Sequence, residues 1–225
     1  TALGAPWAAR PQVLAEVRLE EATVAEYQDG GGMGTLDSPR PHLHPVRTLG
    51  GLTVTDTAPA DHTWHAGVGV AVQDVSGANL WGARTYVRQE GYQWLADHGR
   101  IRHDGFRTRG PGHFAADLTW LGPVGDALAR ETRTVAAESI DDSIWRMHFG
   151  FAITNEGSLP LELGSPGSNG RSGGGYGGFF WRLPPCRNID VRTRADRSED
   201  AVHGTKAPWL AWTAEAADGA FTLVL

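Results

Sequence analysis

Ala127–Ser139 reads ALARETRTVAAES, and after the Asp141-Asp142 turn the chain continues as Ile144-Trp145-Arg146-Met147-His148-Phe149-Gly150-Phe151-Ala152-Ile153. The first half is built of good helix formers, yet its apolar and charged residues do not fall on separate helical faces. A long antiparallel hairpin accounts for both halves. Moving outward, residues 101–108 and 114–121 read as further strands, and residues 13–18 and 22–27 as short extended segments before the turn-rich DGGG at 29–32. Residues 43–49, the pair Gly50-Gly51 and residues 52–55 have hairpin spacing. GVGVAV at 67–72 is apolar on both faces, as a buried strand with close backbone contacts requires. Residues 90–98 are the one other stretch that invites a helix. Residues 159–163 and 220–225 read as strands, the last either a docked terminal strand or one whose continuation lies further on. The expectation is one all-β domain over residues 1–225, an antiparallel two-sheet sandwich or supersandwich that lacks its C-terminal strands if the last strand continues.

Composition agrees with that reading. Thirty glycines and thirteen prolines are spread through 225 residues, which favours short elements and frequent turns. Hydrophobic residues make up 40% and charged residues 20%, neither a disordered polymer nor a membrane protein. No apolar run approaches the roughly 18 residues of a spanning helix, and no secretory leader pattern opens the sequence. The net charge of −6 comes with scattered bases, which argues against a nucleic-acid partner. Cys186 is the single cysteine, so no disulfide framework exists and a reducing cytoplasm is the expected compartment.

Histidine and tryptophan, nine of each, are rich for this length. Arg40-Pro41-His42-Leu43-His44-Pro45 places two imidazoles at i and i+2, one face of a strand. Asp61-His62-Thr63-Trp64-His65 adds a carboxylate and two more. Imidazole beside carboxylate is ordinary equipment for proton transfer at neutral pH, because His titrates near 6.5 and the carboxylate sets its tautomer. A divalent metal on His42, His44, His62 and His65 is the alternative, although the spacing matches no helical zinc motif. A G-x-G-x-x-G occurs at Gly173, Gly175 and Gly178, but it runs into Phe179-Phe180-Trp181, a strand that offers no helix N-terminus to a pyrophosphate, so no nucleotide cofactor is expected. Cys186 has no base assigned by spacing, and no G-x-S-x-G elbow is present. The glycine-rich stretch from Gly164 to Gly178, bounded by large apolar anchors, reads as a loop covering a site.

The ordered set of residues 40–51, Asp61-His62-Thr63-Trp64-His65-Ala66-Gly67, Gly77-Ala78-Asn79-Leu80-Trp81-Gly82 and Gly175-Tyr176-Gly177-Gly178-Phe179-Phe180-Trp181-Arg182 resembles the PmoA-like ("methane oxygenase PmoA") family of soluble bacterial proteins of unknown function. The resemblance covers most of residues 36–225. It implies a β-rich protein, often encoded near sugar-related oxidoreductases, whose members run some tens of residues further. Methane oxidation itself is set aside, since that subunit spans a membrane and this chain has no spanning segment. By looser analogy the long hairpin resembles galactose-mutarotase-like sandwiches, and fold analogy assigns no reaction.

These readings converge on a small-molecule or oligosaccharide substrate and a sugar-active enzyme of epimerase, lyase or glycoside-cleaving type. His62 or His65 is the expected acid/base and Asp61 its orienting partner. Arg40 and Arg182 are expected to hold substrate oxygens and Trp64, Trp81 and Tyr176 to form the walls, with His44, Asn79 and Arg171 completing the binding set. A metal-dependent enzyme (iron or zinc) and a non-catalytic carbohydrate-binding sandwich are the alternatives. The first-half histidines are expected to gather on one concave sheet or at its rim.

Overall fold

The computed structural model describes residues 11–225. In chain order its strands are β1 (Val13–Leu19), β2 (Ala22–Gln28), β3 (His42–Val46), β4 (Val68–Ala71), β5 (Asp74–Val75), β6 (Thr85–Val87), β7 (Gly91–Gln93) and β8 (Arg100–Gly110). They continue as β9 (His113–Leu121), β10 (Ala127–Ser139), β11 (Trp145–Asn155), β12 (Leu163–Gly164), β13 (Gly178–Trp181), β14 (Arg187–Arg192), β15 (Ala211–Ala216) and β16 (Gly219–Val224). Among the described residues a 3-10 turn at Thr35–Asp37 and one short α-helix, α1 (Glu199–Val202), interrupt them. The protein is all-β, with every strand pair antiparallel.

A five-stranded sheet has the order β1-β2-β3-β4-β13, a four-stranded meander the order β11-β10-β9-β8, and a three-stranded sheet the order β14-β15-β16. One core joins them. Val17, Tyr27, Leu43 and Val68 of the first sheet meet Ile101, Phe114, Leu118 and Trp120 of the second, and Phe221 of the third joins the same cluster. Tyr27 stacks on Phe114 with ring centroids 4.6 Å apart. Each such large side chain contributes about 1.5–3 kcal/mol by leaving water.

The β10–β11 hairpin keeps one unbroken register from Ser139↔Trp145 to Ala129↔Asn155. Its turn is closed by Asp141, whose Oδ1 accepts from the backbone amides of Ser143 and Ile144, each at 2.8 Å. Along β10 the buried residues are Ala129, Glu131, Arg133 and Val135, the two-residue period of a strand. Two of those four are charged, so hydrophobicity alone hides the alternation. Arg133 Nε donates to Glu131 Oε1 at 2.6 Å and Nη2 to Oε2 at 3.0 Å. Trp120 Nε1 donates to Glu131 Oε2 at 2.8 Å, and Arg133 Nη1 crosses to the five-stranded sheet to donate to the Pro41 carbonyl at 2.7 Å. Burial opposes the Arg133 charge, but the Glu131 carboxylate and, after it, the Tyr27 hydroxyl together offset it and hold the guanidinium pKa above its ordinary value.

β4 is wholly buried, and a Cβ on Gly67 just before it would collide with the Leu43 carbonyl, which is the close backbone approach its composition implies. Other segments depart from the expectations. Residues 90–98 form no helix: the β6–β7 hairpin turns through residues 88–90 into β7, with Gln89 at φ 68° and Gly91 at φ 77° both in the left-handed region. Of residues 159–163 only Leu163 is in a strand, paired with Val75. Helix α1 had no periodic signal and is one turn long, capped by Ser198 Oγ accepting from Ala201 N at 3.3 Å. No helix among the described residues is long and apolar enough to cross a membrane.

Arg133→Met leaves Glu131 charged and buried without its partner and is expected to cost about 3–5 kcal/mol in urea unfolding, as is Glu131→Leu. The double variant is expected to cost clearly less than the two singles added, since no lone charge remains. Additive losses would show that the pair does not act as a unit.

Candidate functional site

Arg40 assembles the site from within. Its side chain is buried, and Nη1 donates to the carbonyls of Asp37 (3.1 Å), Ser38 (3.1 Å) and Trp81 (3.0 Å) while Nη2 donates to that of Trp64 (2.6 Å). Burial pulls its pKa down to about 10, which still leaves it cationic at neutral pH. One guanidinium thus ties together three loop segments, and a hydrogen bond from a charged donor contributes about 1.5–3 kcal/mol. Asn79, also buried, shapes the next turn: Oδ1 accepts from the amides of Trp81 and Gly82, each at 2.9 Å, and Nδ2 donates to Thr85 Oγ1 at 2.8 Å. Gly82 sits at φ 107°, and a Cβ there would stand 2.5 Å from Trp64 Cβ. Any larger residue would push Trp64 away from Trp81.

Between these loops opens a cavity of about 820 Å³. Trp64, Trp81, Tyr92, Trp94, Tyr176 and Phe180 form its walls, and His62, His65, Gln73, Arg84 and Arg171 supply polar groups. Trp81 contacts Tyr176 and Phe180 with centroids 5.1 Å away in each case, and Phe180 lies 4.9 Å from His65. The Tyr92 and Tyr176 hydroxyls are 2.8 Å apart, and the Arg171 guanidinium lies over both rings at 5.4 and 5.9 Å. Burial raises the Tyr176 pKa, which keeps that hydroxyl protonated.

The glycine-rich loop delivers Arg171 and Tyr176. It folds on itself through Gly167 N to Gly174 O (2.8 Å), Arg171 N to Pro166 O (2.8 Å) and Gly170 N to Gly167 O (3.0 Å). Arg88 Nη2 anchors it from outside by donating to Ser168 O at 2.9 Å. As expected, the G-x-G-x-x-G positions feed strand β13 and not a helix.

Asp61 Oδ2 lies 2.9 Å from His62 Nδ1 at the exposed rim, not aligned as a hydrogen bond but at the separation of an ion pair once the imidazole is protonated. The adjacent His62 imidazole holds the Asp61 carboxyl below its usual range. His65 stands 4.8 Å from His62, ring to ring. Burial first, then the nearby charges of His62, Arg182 and Arg40, bring the His65 pKa down to about 4, so it is uncharged at neutral pH.

Of the residues expected from the sequence, His62, His65, Trp64, Trp81, Arg171 and Tyr176 therefore share one cavity with Asp61 at its edge. Arg182 adjoins it, its charge felt by His65 and Asp61 and its Nε without a protein partner. Arg40 and Asn79 lie behind the cavity and hold its loops, so the role of oxygen-holder given to Arg40 gives way to a structural one. His44 pairs instead with Thr55 Oγ1 at 3.0 Å, and His42 is a core residue whose Nδ1 is 3.0 Å from the Arg40 carbonyl. The remaining histidines scatter: His98 bonds the Ala83 carbonyl at 2.7 Å, His103 packs on Phe106 at 4.6 Å, and His113 is exposed at a hairpin turn. The expected gathering of first-half histidines thus reduces to His62 and His65. Among the described residues no three His, Cys, Asp or Glu side chains converge as a metal site requires, and the four-histidine set is split between core and cavity.

Sequence reasoning missed Gln73, Arg84, Tyr92, Trp94 and Phe180 as site residues. A signal existed for two of them: Tyr92 and Trp94 are i, i+2 and share one face once residues 90–98 are read as extended. Trp94 is 56% exposed with Arg84 stacked 5.7 Å from its ring, which core packing does not explain.

The model of a family of unknown function, DUF6807, matches residues 15–225. The chain belongs to DUF6807. That membership overturns the PmoA-like resemblance: the motifs of residues 40–51, 61–67 and 77–82 lie inside the DUF6807 match, and no homology to methane oxygenase is supported. No curated protein and no solved structure matches this DUF6807 chain, so its chemistry has to be argued from the cavity.

Acid should loosen the whole assembly. His42 has a folded pKa of about 4, lowered chiefly by burial from 6.5, so the unfolded chain binds more protons between those values. Stability is then full above about pH 6.5 and falls as pH drops toward 4, by on the order of 3 kcal/mol for this residue. His42→Gln is expected to flatten the decline in urea unfolding free energy between pH 7 and pH 4.5, and an unchanged slope would remove His42 as its source.

Proposed function

We propose that the protein is a sugar-active enzyme of the proton-transfer kind, an epimerase or lyase, working in the aromatic cavity. The observation that carries this reading is the Asp61–His62 pair at the rim of a space walled by Trp64, Trp81, Tyr92, Trp94, Tyr176 and Phe180. Flat rings with polar edges suit the C–H face of a saccharide, and about 820 Å³ suits one or two sugar rings. Cleavage of a glycoside by the usual route needs two carboxyl groups flanking the bond. The lining residues include no Asp or Glu, which favours proton abstraction over glycoside cleavage. We read the five- and four-stranded sheets with their shared core as the halves of a β-sandwich that carries the cavity on its loops.

In this mechanism a sugar stacks on Trp81 and Trp64 with a C–H next to a carbonyl-type carbon facing His62. His62 Nε2 takes the proton and Asp61 stabilises the imidazolium. Neutral His65 hydrogen-bonds the oxygen on which negative charge develops, its low pKa keeping it uncharged throughout. The electron pair then takes a proton from solvent on the opposite face, which inverts the centre while His62 returns its proton to water, or expels the neighbouring substituent, which leaves with the proton from His62 as a double bond forms.

The test is deuterium wash-in from D2O followed by proton NMR, across a panel of sugars, keto-sugars and sugar acids. Wild type is expected to exchange one carbon-bound proton, and His62→Ala to lose about 10²–10⁴-fold in that rate, with a smaller loss in Asp61→Asn. Quenching of tryptophan fluorescence by a sugar without any exchange would make the protein a binding module. Neither quenching nor exchange would remove the carbohydrate reading.

A further inference from the structure

The cavity is cationic in an acidic protein. Acids outnumber bases 26 to 20 along the chain, yet Arg84 and Arg171 line the cavity, Arg182 adjoins it, and no acidic residue lines it. Among the described residues the ion pairs involve none of these three arginines. Arg84 Cζ lies over Trp94 at 5.7 Å and Arg171 Cζ over Tyr92 at 5.4 Å, so aromatic faces hold both guanidiniums with no carboxylate to neutralise them. Arg182 Nε and Gln73 Oε1 have no protein partner.

We infer that the site selects a sugar acid, with the sugar ring against the tryptophans and its carboxylate held by Arg171 and Arg84. This rests on the carbohydrate reading above and narrows it. Carboxylate is favoured over phosphate because the cavity offers planar guanidinium forks, which match carboxylate geometry. Among the described residues no helix N-terminus borders it, and the loop amides of Gly167, Gly170, Arg171 and Gly174 are already bonded to loop carbonyls, which takes four backbone donors away from any phosphate. A carboxylate also acidifies the adjacent C–H, the proton that His62 would abstract.

Titration of the full chain followed by tryptophan fluorescence, with D-glucuronate, D-galacturonate, the matching neutral sugars and glucose 6-phosphate as probes, tests this. A uronate is expected to bind about ten- to a hundredfold tighter than its neutral counterpart. Arg171→Gln and Arg84→Gln should each shrink that ratio, the uronate losing more affinity than the neutral sugar, with near-UV circular dichroism confirming the fold. Equal binding of uronate and neutral sugar overturns the sugar-acid inference and leaves the carbohydrate reading standing. Tighter binding of glucose 6-phosphate than of either uronate overturns the choice of carboxylate, and a uronate preference that survives both substitutions overturns the assignment to these arginines. Binding of no probe overturns both readings together.

Discussion

Arg133 is a cation sealed between two sheets, and a buried guanidinium tolerates little freedom. Removed from water, it must find a counter-charge and an acceptor for each remaining N–H or lose several kcal/mol. Glu131, two residues along the same strand face, supplies the charge, and Pro41 on the opposite sheet supplies an acceptor. The second contact fixes how β10 sits against the segment that opens β3. One residue before Pro41 is Arg40, whose guanidinium gathers the carbonyls of Asp37, Ser38, Trp64 and Trp81. Two neighbouring buried cations therefore link the core to the loops, so the cavity inherits its shape from the packing of the sheets.

The cavity's chemistry follows from the same separation of roles. Arg40 takes four backbone carbonyls and Asn79 two backbone amides behind the cavity, and the side chains that line it are rings, two imidazoles, Gln73 and guanidiniums. The imidazoles differ by environment alone. His62 is at the rim with a carboxylate beside it, whereas His65 is packed among Trp81, Phe180 and nearby positive charge and resists protonation. In the proposed mechanism these two like residues, three positions apart, take different parts of one proton transfer.

Legibility from sequence was uneven for identifiable reasons. The β10–β11 hairpin was readable because a helix failed on periodicity and a turn stood at Asp141, and the site core around Asp61, His62, Trp64 and His65 because its residues are neighbours in the chain. The histidine cluster misled, since nearness in sequence placed His42 and His44 on a buried strand and His98 and His103 elsewhere in the packing. The PmoA-like resemblance was a misassignment of motifs that lie in a DUF6807 chain. Tyr92 and Trp94 were missed because a helical reading of residues 90–98 scattered them around a cylinder, where the β6–β7 hairpin sets them on one side.

By itself the sequence determined the all-β character, the long hairpin, the absence of a helix after the glycine run, and a carboxylate–imidazole pair beside tryptophan. Each depends on interactions within a few residues, which local order carries. Only the tertiary structure decided that Arg40 is a strut and not a ligand, that His62 and His65 alone among the early histidines share a cavity, and that Arg84 and Arg171 face it without counter-charges. Those outcomes rest on burial and on contacts between residues tens of positions apart. A side chain's charge state and hydrogen-bonding freedom depend on its neighbours in space, and the chain acquires those neighbours only by folding.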